Sequence, residues 1–140
     1  QNPTSKMSKS DESPQGTIGV LDDPSTIEKK IKRSVTDSGS EVRFDPAEKP
    51  GVSNLLSILG AATNQTPQQA TEGIERYGDL KAATAEALIE ALHPIQERYR
   101  DLASDPAETA RLLAVGADKA RQVASATVGR AKTNLGLLPA

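Results

Sequence analysis

Aromatic side chains are almost absent from this sequence, and that limits the folds that the chain can adopt. Its 140 residues include two tyrosines, one phenylalanine and no tryptophan. A core must therefore be built from leucine, isoleucine, valine and alanine, which suits packed helices better than a β-sandwich. Cysteine is absent and histidine occurs once, which excludes a disulfide framework, a thiolate nucleophile and the usual zinc clusters.

The first periodic segment is a helix that Asp23 and Pro24 begin, because aspartate caps helices and proline suits the first helical position. Apolar residues then follow at four-residue spacing and predict one buried stripe: Ile27, Ile31 and Val35. We expect this helix to end near residues 36–39. Residues 17–21 form a short apolar run before it, which fits either a strand or an extended connector.

Helical periodicity returns at residue 51, after a predicted loop over residues 38–50. It predicts one apolar helix, a short helix from a Thr66 cap to about Ile74, and a long helix over residues 79–103. Pro94 lies inside the long helix and is expected to kink it.

The last helix has the clearest beginning, with Asp105 as the cap, Pro106 at the first helical position and Glu108 at the third. We expect its apolar residues to be buried: Leu112, Leu113, Val115, Val123, Ala124, Val128 and Ala131. The predicted fold is mostly α, an antiparallel helical bundle with short loops, preceded by a loop and a linking helix.

One short motif carries chemistry, and it lies in a segment that we expect to be a mobile loop; its two lysines stand three residues apart among small hydroxyl residues. Its residues are Lys6, Met7, Ser8, Lys9 and Ser10. Lysines are mobile point charges that can follow a phosphate, and serine hydroxyls and loop amides can add hydrogen bonds. The residues alone leave open a polyphosphate-binding loop or a solvated polar tail.

These five residues are identical to the KMSKS signature of class I aminoacyl-tRNA synthetases. Further blocks resemble bacterial tryptophanyl-tRNA synthetases in the family's order: DDPSTIEKKIKRSVTDS at residues 22–38, KPGVSNLLSI at residues 49–58, ALIEALHPIQERYRDL at residues 87–102 and GADKARQVASATV at residues 116–128. The resemblance covers nearly the whole chain, and it is weakest over residues 64–72 and after residue 130.

The resemblance implies a ligase that activates tryptophan with ATP and Mg²⁺ and charges tRNA(Trp). It implies that Lys9, supported by Lys6, stabilises the transition state, and that Met7, Ser8 and Ser10 complete the ATP site. It also implies that residues 1–50 are the loop, linking helix and connector of a catalytic domain, and that residues 51–140 are a helical domain that contacts the anticodon.

The family's HIGH-type motif, tryptophan pocket and main Rossmann sheet all precede a KMSKS loop, and none of them is found here. We therefore expect the chain to be the C-terminal part of a longer enzyme and to be inactive alone. His93 does not replace the missing motif, because it precedes a proline inside a helix, and we expect a packed or surface histidine. We expect no metal site within this chain.

Basic residues outside the loop suggest a tRNA surface. From residue 111 onward the sequence contains five cations and one acid, Asp118. The five cations are the candidate tRNA contacts: Arg111, Lys119, Arg121, Arg130 and Lys132. An ordinary solvated helix face explains each of them as well. The basic face of the first helix leaves the same choice between ATP or tRNA contact and a wet surface: Lys29, Lys30, Lys32 and Arg33. Asp37 and its neighbours Thr36 and Ser38 are a weaker candidate for bracing the loop.

Net charge and the distribution of apolar residues bear on the partners and the location of the protein. A formal net charge of −2 gives no global attraction to nucleic acid. The sequence has neither an apolar run near 20 residues nor a signal-peptide pattern, so we expect a soluble cytoplasmic protein without a membrane partner. The resemblance implies a homodimer for the full enzyme. The alternative function is a free-standing tRNA-binding helical module without catalysis, and a purely structural bundle would leave the KMSKS loop without a role.

Overall fold

The structure, a computed structural model, describes residues 14–137. Four α-helices lie in this range, α1 (Pro24–Lys32), α2 (Pro50–Thr63), α3 (Tyr77–Ser104) and α4 (Pro106–Asn134), with 3₁₀ turns at Pro14–Gly16 and Gln69–Thr71. No strand occurs among these residues, so the mostly α prediction holds. Residues 17–21 are a connector rather than a strand, but the connector is not extended throughout, because residues 20 and 21 lie in a turn. None of the described helices is long and apolar enough to cross a membrane.

The chain divides inside α3 into two compact units, Gln1–Glu97 and Arg98–Ala140. The predicted boundary between residues 50 and 51 falls within the first of these units. That boundary concerns the domains of a longer enzyme, and it stays a prediction.

The core of the first unit is aliphatic, as the shortage of aromatic residues requires. Nine buried apolar residues from α1, α2, the second 3₁₀ turn and α3 form one cluster: Ile27, Ile31, Val52, Leu55, Leu56, Leu59, Ala70, Leu80 and Ala85. Each large side chain among them contributes about 1.5–3 kcal/mol by leaving water. Partly buried residues from the connecting segments pack against this cluster, among them Ile18, Val42 and Phe44.

Helix α1 begins as predicted and ends earlier than predicted. The Asp23 carboxylate accepts a hydrogen bond from the Thr26 amide at 3.0 Å, and Pro24 is the first helical residue. The helix ends at Lys32. Its expected continuation to residues 36–39 is wrong, and so is the expected burial of Val35, which is 52% exposed. Outside the helix, a four-residue spacing no longer returns a side chain to the same face.

The end of α1 is capped from α3. Lys81 Nζ donates to the carbonyl oxygen of Lys32 at 3.2 Å and to that of Ser34 at 2.8 Å. These carbonyls lie at a helix end, where no intrahelical amide is available to them. A cation at a helix C-terminus is also favoured by the helix dipole.

The connection between α2 and α3 contains less helix than the sequence predicted. Helix α2 ends at Thr63, and its C-cap residue Asn64 adopts the left-handed conformation with φ of 62°. The Thr66 hydroxyl accepts from the Gln69 amide at 3.2 Å, but the cap residue of the turn that follows is Gln68, so the predicted cap position is wrong by two residues. The helix that follows is only the turn Gln69–Thr71, and it does not reach Ile74. Helix α3 continues through Pro94.

In the second unit, α4 begins as predicted and is otherwise exposed. The Asp105 carboxylate accepts from the Glu108 amide at 3.0 Å. No residue of α4 is buried, and Leu113 is 70% and Val123 80% exposed. The predicted buried side of this helix is therefore wrong. Within its unit only seven residues of α3, about 10 Å of helix, accompany 29 residues of α4, which extend about 43 Å.

Candidate functional site

The motif residues Lys6, Met7, Ser8, Lys9 and Ser10 lie outside the residues that the structure describes. What the structure does describe is the segment that follows them, which includes Thr17 and the turn from Gly19 to Asp22. In that turn the Asp22 amide donates to the Gly19 carbonyl oxygen at 3.0 Å, and the Asp22 carboxylate accepts from the Gly19 amide at 2.8 Å. The turn is thus closed by backbone and side chain together.

Lys30 of α1 fixes this segment to the helix that follows it. Its ammonium donates to the Thr17 carbonyl oxygen at 2.8 Å and to Asp22 Oδ2 at 2.5 Å. The hydrogen bond from Lys30 lowers the pKa of the Asp22 carboxyl, and the Gly19 amide acts in the same direction. Only 11% of the Lys30 side chain is exposed. Because two of its three N–H donors are engaged and its side chain is largely buried, Lys30 is a structural tie rather than a free phosphate ligand.

Gln96 of α3 fixes the same turn from a second direction. Its side-chain amide nitrogen donates to the Val20 carbonyl oxygen at 2.8 Å and to the Asp22 carbonyl oxygen at 3.0 Å. A primary amide has two N–H donors, and both are used here. The segment after the motif is therefore held by α1 and α3 independently.

A second polar cluster holds the chain between α1 and α2. The Asp37 Oδ1 atom accepts from the Tyr77 hydroxyl at 2.7 Å, from the Gly39 amide at 2.7 Å and from Lys49 Nζ at 3.2 Å. Lys49 Nζ also donates to the Tyr77 oxygen at 2.9 Å and lies 5.6 Å from the centroid of that ring. Lys49 is buried in spite of its charge. The predicted brace between Asp37 and the motif involves residues outside the described range, so it stays a prediction.

Hydrogen bonding sets the ionisation of this cluster. The hydrogen bond from Tyr77, helped by Gly39 and Lys49, lowers the pKa of the Asp37 carboxyl to about 2. Hydrogen bonds to Tyr77, the larger contribution, and to Asp37 raise the pKa of Lys49. The two groups therefore remain a charged pair across the neutral range. The second carboxylate oxygen, Oδ2 of Asp37, is buried and has no hydrogen-bond partner among the described residues.

The other basic residues of α1 are on the surface. Lys29, Lys32 and Arg33 are exposed, and no carboxylate pairs with them in the described part of the chain. They form a compact group of three cations at the C-terminal end of the helix. The structure therefore separates them from Lys30, which the sequence grouped with them.

Two of the five candidate tRNA contacts on α4 are paired with acids one turn earlier. Arg111 donates from Nε and Nη2 to both carboxylate oxygens of Glu108, at 2.6 and 2.7 Å. Arg121 pairs with Asp118. The hydrogen bonds between Arg111 and Glu108 lower the pKa of Glu108 and raise that of Arg111. Three cations of α4 have no ion-pair partner between residues 14 and 137, and they are Lys119, Arg130 and Lys132.

The five cations do not form a single stripe. At about 100° per residue, Lys119 and Arg130 project within about 20° of each other and lie about 16 Å apart along the axis. Arg121 and Lys132 form a second pair with the same spacing, on roughly the opposite side of the helix. Only the first pair consists of two cations without an acidic partner in the described range. It is therefore the stronger candidate for contact with a polyanion.

His93 is a surface residue of α3, as expected. Its side chain is 60% exposed, and Nδ1 lies 3.6 Å from Glu97 Oε2. Within residues 14–137, no group of three or more histidine, aspartate or glutamate side chains is placed to hold a metal ion.

The ties formed by Gln96 and Tyr77 could not be found in the sequence. Each joins residues far apart in the chain, 76 positions from Val20 to Gln96 and 40 from Asp37 to Tyr77. A glutamine on a helix and a tyrosine at a helix start belong to no short motif. The only local signal is the aspartate of the Gly19 turn, since aspartate commonly bonds to backbone amides nearby.

Comparison with protein families places this geometry in a known context. The family model described as tRNA synthetases class I (W and Y) matches residues 1–99. That match includes the motif, the turn at Gly19, the Asp37 cluster and Gln96.

Individual relatives match the whole chain. Tryptophan–tRNA ligase 1 of Streptomyces coelicolor is 46% identical over 139 residues, covering 99% of this chain and 41% of that protein. The tryptophan–tRNA ligase of Mycobacterium leprae is 50% identical over 141 residues, with the same two shares. The crystal structure of tryptophanyl-tRNA synthetase from Mycoplasma pneumoniae superposes with a TM-score of 0.82 at 30% identity, over 99% of this chain and 44% of that one. The chain thus spans about two fifths of the length of these relatives.

Proposed function

This chain belongs to the class I tRNA synthetases for tryptophan and tyrosine, and from that premise we propose that it is the C-terminal part of a tryptophan–tRNA ligase. In the complete enzyme it supplies the phosphate-binding loop and a helical tRNA-binding region. The complete enzyme uses ATP with Mg²⁺ to activate tryptophan and transfers it to tRNA(Trp). It acts as a cytoplasmic homodimer, and the chain alone does not form the adenylate.

One observation carries the proposal: identity to tryptophan–tRNA ligases extends over the full chain. The Mycobacterium leprae protein is 50% identical over 99% of it, and the matched region continues past residue 99, where the family model ends. The family model covers tryptophan and tyrosine enzymes together. The extended match to relatives named for tryptophan favours the tryptophan enzyme.

The chemistry assigned to the motif is electrostatic. Lys9 contacts the ATP phosphates and stabilises the charge that develops on the leaving pyrophosphate, and Lys6 supports it. Met7, Ser8 and Ser10 shape the loop and complete the ATP site. Loop closure excludes water and commits the bound nucleotide. The ties from Lys30 and Gln96 support this assignment, because a loop that must meet a phosphate accurately needs an anchored end.

The tRNA-binding role is assigned to α4. Lys119 and Arg130 are the principal phosphate contacts, because they share a face and have no acidic partner in the described chain. Lys132 on the other side is a further contact. Arg111 and Arg121 contribute less, because each must leave an acid one turn away before it can bind a phosphate.

A hybrid enzyme tests the proposal. In it, residues 1–140 replace the matching part of Streptomyces coelicolor tryptophan–tRNA ligase 1, and the readouts are tryptophan-dependent ATP–pyrophosphate exchange and tRNA charging. We expect exchange by the hybrid and none by the 140-residue chain alone. Lys9→Ala in the hybrid should lower kcat about 100-fold or more, the loss typical of removing one stabilising donor. Arg76→Ala, which removes a largely exposed cation that belongs to none of the candidate sites, is the control.

The outcomes separate the functions. A folded hybrid without exchange, or one that activates tyrosine in preference to tryptophan, contradicts the proposal. Salt-dependent binding of tRNA by the chain, together with an inactive hybrid, would instead support a free-standing tRNA-binding module. Exchange by the isolated chain would show that the upstream part is not needed.

A further inference from the structure

Apolar packing holds the turn from Gly19 to Asp22 only in part. Ile18, directly before the turn, packs against the core, but Val20 is 51% and Leu21 53% exposed. Within the turn itself, the specific contacts are polar ties from Lys30 of α1 and from Gln96 of α3. Loss of one tie should therefore move the turn without disturbing the core.

Gln96 and Lys30 have different roles in this arrangement. Lys30 lies eight residues from Asp22 and joins the turn to the helix that directly follows it. Gln96 lies 74 residues from Asp22, on a helix whose buried residues include Leu80 and Ala85 of the core. Among the hydrogen bonds of residues 14–137, those from Gln96 are the ones that join the turn to α3.

We propose that Gln96 is a positioning residue for ATP activation, which acts by holding the carbonyl groups of Val20 and Asp22 and so fixing the end of the segment that follows the KMSKS motif. The inference rests on the proposed function. Ser10, the last motif residue, is seven positions from Thr17, the first residue that these ties hold. A fixed end at that distance restricts where the two lysines of the motif can reach, which reduces the ordering required when ATP binds.

Two substitutions at Gln96 distinguish the effect of its N–H donors from the effect of its side-chain size. Gln96→Glu keeps the shape of the side chain but replaces the donor with an oxygen facing two carbonyl oxygens. Gln96→Lys restores N–H donors on a longer side chain. Gln68→Glu makes the same charge change at an exposed glutamine of the same unit, whose side chain makes no contact with the turn, and serves as the control.

The first measurement is amide hydrogen exchange in the 140-residue chain. Exchange of the Gly19 and Asp22 amides should be at least about tenfold faster in Gln96→Glu, because local opening becomes easier. It should stay close to wild type in Gln96→Lys and in the control. The thermal midpoint should be unchanged in all three, because the core is untouched. Unchanged protection in Gln96→Glu would overturn the tie itself.

The second measurement is pyrophosphate exchange by the hybrid enzyme. Gln96→Glu should raise the KM for ATP and lower kcat while leaving the KM for tryptophan unchanged, and Gln96→Lys should recover most of the loss. If the amides lose protection but both kinetic constants for ATP stay at wild type, Gln96 is only structural and the positioning role fails. An inactive wild-type hybrid overturns the proposed function and this role with it, while hydrogen exchange still reports on the tie separately.

Discussion

The carbonyl oxygen of Val35 lies 2.3 Å from the point where a Cβ atom of residue 51 would stand, and residue 51 is glycine. Gly51 is buried in the first turn of α2, directly after Pro50. The backbone that leaves α1 therefore passes against the start of α2 at a distance that no other residue permits. This contact explains why residue 51, in the KPG segment at residues 49–51, is a glycine.

Gly51→Ala should destabilise the chain by at least about 1–3 kcal/mol, because the added methyl group meets backbone that cannot rotate away. Gly78→Ala is the matched control, since nothing lies within 4 Å of its added Cβ. Urea unfolding followed by circular dichroism measures both. Equal stability of the two variants would show that the chain at Val35 moves freely.

Asp37 should make the stability of the chain depend on pH in the acid range. Its folded pKa of about 2 lies below the ordinary value of 3.8, so the charged form is favoured by folding. This contribution is complete above the ordinary value and is lost as the pH falls through the folded pKa. The difference in unfolding free energy between wild type and Asp37→Asn should therefore shrink from about pH 4 to about pH 2. A constant difference would contradict the assignment.

Tyr77→Phe should raise the pKa of Asp37 toward its ordinary value, because the Tyr77 hydroxyl is the main cause of the shift. Carboxyl carbon NMR of the two proteins measures this directly. Tyr99→Phe, at an exposed tyrosine of α3 in the second unit, is the control and should leave the titration of Asp37 unchanged.

Leucines in the two units should differ sharply in their contribution to the free energy of unfolding. Leu80 is fully buried in the first unit, and Leu80→Ala should lower the unfolding free energy by about 2–5 kcal/mol. Leu113 is 70% exposed on α4, and Leu113→Ala should change it by about 0.5 kcal/mol or less. A large loss at Leu113 would mean that this residue is covered in solution.

The pairing of the α4 cations should be visible in the salt dependence of tRNA binding. Lys119→Ala and Arg130→Ala should each reduce the slope of log K against log salt by about 1, as loss of one phosphate contact does. Arg111→Ala should reduce it less, because Glu108 already holds that guanidinium. Filter binding at several salt concentrations gives the slopes. Equal effects at all three positions would contradict the distinction.

Helix beginnings could be predicted from the sequence because their causes are local. Asp23 and Asp105 each cap the helix that begins at the next residue, because their carboxylates accept from the amide three residues later. The end of α1 could not be predicted, because Lys81, which bonds to its terminal carbonyls, lies 49 positions from Lys32. Gln96 escaped prediction for the same reason.

Burial on α4 was mispredicted for a different reason. Periodicity reports that a helix has an apolar side, and Leu113 and Val123 do belong to such a side, but it does not report whether anything covers that side. The sequence identified the basic residues on the same helix, but not which of them pair with acids. Asp118 and Glu108 lie one turn before Arg121 and Arg111, and this spacing could have indicated that two of the five cations are paired.

A helix without buried residues also has a calorimetric signature. The turns of α4 are joined by backbone hydrogen bonds and local ion pairs, and no core cluster of the described residues includes any of them. Helix–coil melting of that kind is gradual, because each turn can fray without opening the rest. Heating should therefore give one sharp heat-absorption peak from the aliphatic core of the first unit, above a sloping baseline from α4. A bound polyanion that bridges Lys119 and Arg130 would turn that slope into a second peak.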